Sequence, residues 1–280
     1  MSPDRTLRFN NMKDAHAALT SGASFAIVEM ALQEDEEIIL NMAMEKMFDV
    51  DAFACIDQNS LPFYPATLEG RVLMLISELT RKAPRLLDHE RRATYSFLHR
   101  TILACAEIGT IEDQTHVRGT ISEDGSKGVD QWFHLDCLPE SVAPESEQYL
   151  ALVTLGDYPG TQLVLPGEAT RQELDRLARL KENTIGRIKE RGFKGSLIDQ
   201  PELIDIYEQC DLAVKESEIH HACAYQIAFV RYGRHGQNAP GIGTWHRAPM
   251  VLSANRGLLA MHVNLHEHLT NPNKANEDYS

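Results

Sequence analysis

Apolar residues recur at helical spacing through much of the first hundred residues of the chain. Between residues 68 and 108 this spacing predicts two amphipathic helices, with Pro84 between them. An acidic amphipathic stretch over residues 25–50 precedes them and begins with the apolar run Phe25–Val28. We therefore predict that residues 1–114 form a mainly helical N-terminal support region.

From residue 115 onward the pattern changes to short apolar runs separated by turn signals, which is typical of β-strands. Strands are predicted at Thr115–Ile121, Gln131–Asp136, Tyr149–Leu155, Gln162–Leu165, Tyr225–Tyr232, Gly243–Ala248 and Gly257–Asn264. The last residues, 269–280, are polar and are predicted to form a tail.

A helical insertion interrupts these strands between about residues 168 and 222. Its first helix is predicted to begin at the capping-box sequence Thr170-Arg171-Gln172-Glu173 and to end near Arg191. A second helix is predicted from about Pro201 to Lys215. Helices followed by many short strands indicate an α+β fold in which a β-sandwich or barrel is braced by helices.

Composition and charge narrow the possible functions. The 280 residues fit one large domain or two small ones, and 43% hydrophobic residues are enough for a complete core. A net charge of −14 disfavours binding to nucleic acid and to anionic membranes. The five cysteines are scattered without a C-x-x-C pair, and neither a signal peptide nor a membrane-spanning run is evident. A cytoplasmic protein is therefore expected.

The segment Trp132–Asp136 is the strongest candidate for chemistry. Side chains at positions i and i+2 of a strand leave the same face, so His134 and Asp136 can reach one cation. His246 offers a third ligand far downstream. Two histidines and one carboxylate, with other coordination positions left open, are the ligand set of non-haem Fe(II) oxygenases. Arg256 follows ten residues later and could hold the carboxylate of a co-substrate.

The order His134-x-Asp136, then His246, then Arg256 resembles that of the Fe(II)- and 2-oxoglutarate-dependent oxygenases. The resemblance covers about residues 115–265. It implies a double-stranded β-helix, the jelly-roll or cupin-like architecture. That core would span residues 115–268, with the helical insertion inside it.

Two shorter segments are similar to phytanoyl-CoA-hydroxylase-like members of that superfamily. Residues 160–167 are similar to their Gly…Pro-Gly turn, and residues 245–249 are similar to their segment around the distal histidine. The gap between Asp136 and His246 is long, which we attribute to the insertion. The insertion and the N-terminal helices are expected to supply the lid and the pocket walls.

The resemblance implies a role for each residue of the motif. His134, Asp136 and His246 would hold Fe(II), and Arg256 would pair with the distal carboxylate of 2-oxoglutarate. The implied reaction consumes O2 and 2-oxoglutarate, releases succinate and CO2, and hydroxylates or desaturates a small-molecule substrate. Related halogenases carry a small residue at the position of Asp136, so its carboxylate favours hydroxylation or desaturation over halogenation.

The chain departs from the family pattern beside the arginine. Several members have Arg-x-Ser there, whereas this chain has Arg256-Gly257-Leu258. A second hydrogen bond to 2-oxoglutarate must then come from elsewhere, and Tyr149 and Thr161 are the candidates. His262 is predicted to share a strand face with Leu258.

Two other functions fit the same residues. A cupin-like metal-binding protein, or a dioxygenase that does not use 2-oxoglutarate, would keep the three ligands and give Arg256 a structural role. A non-catalytic jelly-roll binding module would make the grouping of the ligands a coincidence. The sequence leaves the oligomeric state open, with a homodimer among the alternatives.

Overall fold

A computed structural model gives the fold of most of the chain. It describes residues 7–47, 85–111, 116–120, 132–138, 148–157, 159–195, 200–234, 243–248 and 256–266, together with residues 70, 74, 77 and 81. Most of the predicted helix before Pro84, Pro84 itself and the predicted tail at 269–280 lie outside the described residues.

The described helices are amphipathic and bury one face each. They are α1 (Met12–Thr20), α2 (Glu36–Met47), α3 (Asp88–Ile108), α4 (Glu168–Glu190) and α5 (Pro201–Ala213), the last followed by a 3-10 turn at Val214–Glu216. Helix α4 begins directly after Gly167, so Thr170 lies within its first turn rather than at its N-cap, contrary to the prediction. None of the described helices combines the length and apolar composition needed to span a bilayer.

The described strands form mostly antiparallel sheets. They are β1 (Arg8–Phe9), β2 (Phe25–Val28), β3 (Gly109–Ile111), β4 (His116–Thr120), β5 (Cys137–Leu138), β6 (Gln148–Leu155), β7 (Gln162–Leu165), β8 (Glu218–His221), β9 (Ile227–Arg231), β10 (Gly233–Arg234), β11 (His246–Arg247) and β12 (Arg256–Leu265). A seven-stranded main sheet has the order β1-β2-β9-β6-β12-β3, with β4 also paired to β12. A three-stranded sheet has the order β11-β7-β8, and β5 pairs with β10. The predicted α+β class is confirmed.

Two predicted elements differ in the structure. The run Gln131–Asp136 was predicted as a strand, but within its described part only His134 forms a bridge, and it pairs with His246. The strand that it pairs with, β11, is only two residues long, so the pairing extends no further among the described residues. The N-terminal region also contributes strands to the main sheet, where β2 pairs with both β1 and β9.

The two faces of the main sheet bury different layers, because side chains alternate along each strand. Ala151 and Val153 of β6 pack in one cluster with residues of α1, α2 and α3. Leu150 and Leu152 face the opposite way and share a cluster with Leu163 of β7. The second cluster therefore lies between the main sheet and the three-stranded sheet.

The helical insertion covers the outer face of the three-stranded sheet. Val164 of β7 packs there with Leu177 of α4 and Ile206 of α5. Phe133, Leu135 and Trp245, the neighbours of the candidate ligands, belong to the same cluster. The insertion thus braces the back of the ligand segments, a position that differs from the lid expected from the sequence.

A buried carboxylate joins α2 to α3. The Glu90 side chain is fully buried, accepts a hydrogen bond from the Leu87 amide at 2.7 Å and pairs with Lys46. Glu90→Ala removes both contacts and is expected to lower the free energy of unfolding by about 2–3 kcal/mol in urea denaturation. Glu107 is exposed on the same helix, and Glu107→Ala should change stability by less than about 0.5 kcal/mol. Equal effects of the two substitutions would contradict this role of Glu90.

Candidate metal centre

A single antiparallel bridge brings the two candidate histidine ligands together. The His134 amide donates to the His246 carbonyl, and the His246 amide donates to the His134 carbonyl, each at 3.0 Å. His246 is also paired with Leu163, whose side chain lies between the two sheets. Because directly opposed residues share a face, both imidazoles leave on that side. Their ring centroids are 4.5 Å apart.

Asp136 completes a group of three ligand atoms. Its two oxygens lie 3.8 Å from His134 Nε2 and 3.4 Å from His246 Nε2, and the three ligand atoms are all within 4.8 Å of one another. Metal–ligand distances of about 2.0–2.2 Å, at angles of about 90–109°, place neighbouring ligand atoms about 3–3.5 Å apart. Small side-chain adjustments would therefore let all three bind one ion.

The alternation expected of His134 and Asp136 is present although the segment is not a regular strand. Phe133 and Leu135 pack outward against the insertion helices. His134, between them, is directed to the other side, where Asp136 meets both imidazoles. The outward anchors thus hold the two ligands on one side of the backbone.

Backbone carbonyls fix the tautomers of both histidines. His134 Nδ1 lies 2.8 Å from the Trp132 carbonyl oxygen, and His246 Nδ1 lies 3.0 Å from the Thr244 carbonyl oxygen. A carbonyl can only accept, so each Nδ1 carries a proton and donates it. In a neutral imidazole the lone pair is then on Nε2, and both Nε2 atoms are directed towards Asp136. This is the arrangement of metal-binding histidines.

Asp136 is held in its anionic form. Partial burial by itself would raise the pKa of Asp136, but the hydrogen bond from His246 and the charge of His134, which the imidazoles supply when they are protonated, outweigh it, and the pKa lies well below its usual range. With neutral imidazoles, two lone pairs and a carboxylate would converge without a positive charge between them. A cation at their centre satisfies all three groups, so the residues fit a divalent metal.

The backbone around Asp136 is fixed by close packing. The Gly233 amide donates to the Asp136 carbonyl at 2.7 Å. Gly243 packs so closely here that a Cβ on it would lie 2.5 Å from the Gly233 nitrogen and 2.3 Å from Leu135 Cδ1. A larger residue at position 243 would therefore displace the segment that carries Asp136.

The other predicted site residues lie in different places. Arg256 begins β12 opposite Thr120, and its side chain is outside the described residues. Thr161 is buried just before β7, where its carbonyl accepts from the Ala222 amide at 2.9 Å. A contact between Thr161 and a co-substrate stays a prediction.

Tyr149 does not face the space between the sheets. Its fully buried ring packs in the cluster formed with α1, α2 and α3, and its hydroxyl donates to the Leu19 carbonyl at 3.3 Å. The sheet therefore separates Tyr149 from the metal centre, and this position is incompatible with the predicted contact to 2-oxoglutarate. Leu150 and Leu152 of the same strand face the space between the two sheets instead.

The predicted orientation of His262 agrees with the structure. His262 is opposite Leu150 and has the same strand parity as Leu258, and both leucines pack between the sheets. Its Nδ1 lies 2.7 Å from the hydroxyl oxygen of Tyr232. The sequence did not reveal this tyrosine–histidine pair, because its partners are distant in sequence and match no motif.

Comparisons with known proteins give similarity only at the level of structure. No protein-family model matches the chain, and no curated protein matches it. A similar solved structure is the Kdo hydroxylase KdoO in complex with succinate and Fe(III), described as a non-heme Fe(II) alphaketoglutarate dependent dioxygenase. It shares 15% identity at a TM-score of 0.42, over 94% of this chain and 90% of that chain.

A second similar structure is the non-heme iron oxygenase OrfP in complex with Fe and L-homoarginine. Its identity is 14% and its TM-score 0.32, over 91% of this chain and 79% of that chain. At these low identities and TM-scores, neither similarity establishes the reaction or the substrate of this chain.

Proposed function

We propose that this chain is a non-haem Fe(II)- and 2-oxoglutarate-dependent oxygenase that hydroxylates or desaturates a small molecule. The observation that carries the proposal is the convergence of His134 Nε2, His246 Nε2 and the Asp136 carboxylate, with both tautomers fixed by backbone carbonyls. Two histidines and one carboxylate on one side of an ion leave its other positions open for co-substrates. When bound, the iron would supply the redox chemistry that uses O2.

The path of the chain supports a double-stranded β-helix. Strand β6 is in the main sheet, β7 and β8 are in the three-stranded sheet, β9 returns to the main sheet, β11 leaves it and β12 returns. Leu163, Leu150 and Leu258 pack together between the two sheets. Alternation of consecutive strands between two facing sheets is the pattern of a jelly roll.

The three ligands differ in exposure. The side chains of His134 and His246 are 8% and 4% exposed, whereas that of Asp136 is 40% exposed. Small molecules can therefore approach the ion beside the carboxylate, while the imidazoles are shielded from water. Two buried imidazoles beside one partly exposed carboxylate suit a small molecule better than an extended polymer.

Arg256 is the proposed anchor for the distal carboxylate of 2-oxoglutarate. Alternation along β12 gives position 256 the same parity as Leu258, which packs between the sheets. A guanidinium there would offer a planar pair of donors to a carboxylate. Thr154 is buried opposite Leu258 on the same face and joins Thr161 as a candidate for a further hydrogen bond.

Binding of 2-oxoglutarate in the absence of oxygen tests the proposal. Calorimetry should detect binding to the Fe(II)-loaded protein and at least about tenfold weaker binding to the metal-free protein, because the keto acid would bind through the ion. Admitting O2 with ascorbate and candidate substrates should then yield succinate. Tight metal binding without any affinity for 2-oxoglutarate would instead support a cupin-like protein or a dioxygenase that needs no keto acid.

A further inference from the structure

We propose that Asp211, on helix α5 of the insertion, positions the two histidine ligands relative to each other. The inference rests on the proposed function, since it assumes that His134 and His246 bind a metal ion. Asp211 does not contact the centre itself. It acts through the residues next to the two ligands in sequence.

One carboxylate contacts both ligand segments. Asp211 Oδ1 accepts a hydrogen bond from the Phe133 amide at 3.0 Å, and Oδ2 accepts one from Arg247 Nη1 at 3.3 Å. Phe133 directly precedes His134, and Arg247 directly follows His246. The carboxylate therefore joins two segments that are distant in sequence, one residue away from each ligand.

Arg247 also contacts the adjacent strand and an aromatic ring. Its Nε donates to Gln162 Oε1 of β7 at 2.6 Å, and its Cζ lies 4.2 Å from the centroid of the Phe133 ring. The side chains of Arg247 and Asp211 are only 26% and 18% exposed. A partly shielded ion pair with these additional contacts is less weakened by solvent than an exposed one.

The ligand segments need this support because their own pairing is minimal. Between the described residues 132–138 and 243–248, a single bridge at His134 and His246 joins the two segments, where a regular strand pair would form a longer ladder. Metal affinity requires ligand atoms held within about 0.5 Å of their productive positions. The link through Asp211 adds a second connection between the two segments, on the side that packs against the insertion helices.

A second insertion helix contacts the same segment. Lys181 Nζ of α4 donates to the Leu135 carbonyl at 3.3 Å, between His134 and Asp136. The ammonium also lies 5.9 Å from the centroid of the Tyr207 ring on α5. Both helices of the insertion therefore contact the backbone that carries the ligands. The insertion thereby has a role in positioning the ligands for metal binding.

Substitution of Asp211 in the Co(II)-loaded protein tests the proposal. Asp211→Asn keeps the size of the side chain but places an amide nitrogen where an acceptor is needed by either Phe133 or Arg247. We expect Co(II) affinity to fall about tenfold or more, and the visible absorption spectrum of the bound Co(II) to change with its coordination geometry. Asp211→Glu keeps the charge and should recover part of the affinity. Asp205→Asn is the matched control, because Asp205 is exposed on the same helix.

The spectrum separates positioning from general stability. If Asp211→Asn lowers the melting temperature but leaves Co(II) affinity and spectrum as in the wild type, the positioning role is overturned. Asp211→Ala should show a larger loss of affinity, and the asparagine variant decides if the alanine variant does not fold. A wild-type protein without Co(II) affinity would instead overturn the proposed function, and the role of Asp211 in it.

Discussion

Replacing His246 with alanine is expected to weaken Co(II) or Fe(II) binding by about 10²–10³-fold. Binding of a metal by four protein ligands is worth about 10–16 kcal/mol, so one ligand contributes about 2.5–4 kcal/mol. The His246 ring is buried and its Nδ1 is already engaged by the Thr244 carbonyl, so its Nε2 is held in place for the ion. Competition with a chelator of known affinity, under argon, measures the change.

Two further variants make this result specific. His134→Ala should cause a loss of similar size, because the two imidazoles occupy equivalent positions beside Asp136. His89→Ala should have no effect, since His89 is exposed in the first turn of α3. Unchanged metal affinity in both ligand variants would favour the non-catalytic binding module, in which the grouping of the three residues is a coincidence.

Replacing Arg256 with glutamine is expected to weaken 2-oxoglutarate binding by about 10–100-fold without changing metal affinity. Hydrogen bonds to a charged group contribute about 1.5–3 kcal/mol, and glutamine removes the charge while keeping a polar side chain. Anaerobic calorimetry on the metal-loaded protein measures the change in affinity. Separate effects on the ion and on the co-substrate are expected because Arg256 begins β12, outside the segments that carry the ligands.

Arg92→Gln is the matched control for this substitution, because Arg92 is exposed on α3. It should bind 2-oxoglutarate as tightly as the wild type. If Arg256→Gln also binds 2-oxoglutarate as tightly as the wild type, Arg256 does not anchor the co-substrate and has only a structural role.

Elements with long periodic patterns were predicted well from the sequence. The hydrophobic runs of β6 and β7 and the helical spacing of α4 and α5 gave bounds within about two residues of those observed. The two helices bury one face each, so their side-chain period reports the fold directly, and the two strands are apolar runs bounded by turn signals. Short elements such as β8 and β10 carry too few residues to show a period, and β8 lay inside the segment predicted to be helical.

The ligands were predictable because their chemistry and local spacing are visible in the sequence. His134 and Asp136 are separated by one residue, and His246 lies in another short segment that was predicted to be a strand. Tyr149 shows the limit of that reasoning, since a resemblance does not reveal which face of β6 it occupies. Asp211 gave no signal at all, because its contacts with Phe133 and Arg247 exist only after α5 packs on the three-stranded sheet.

A crystal structure of the protein with Mn(II) and N-oxalylglycine tests the central claim most directly. It should contain one ion bound by Nε2 of His134, Nε2 of His246 and the carboxylate of Asp136. The analogue should chelate the same ion, with its distal carboxylate at Arg256. An ion bound elsewhere, or the three side chains without an ion at saturating Mn(II), would contradict the assignment of this site.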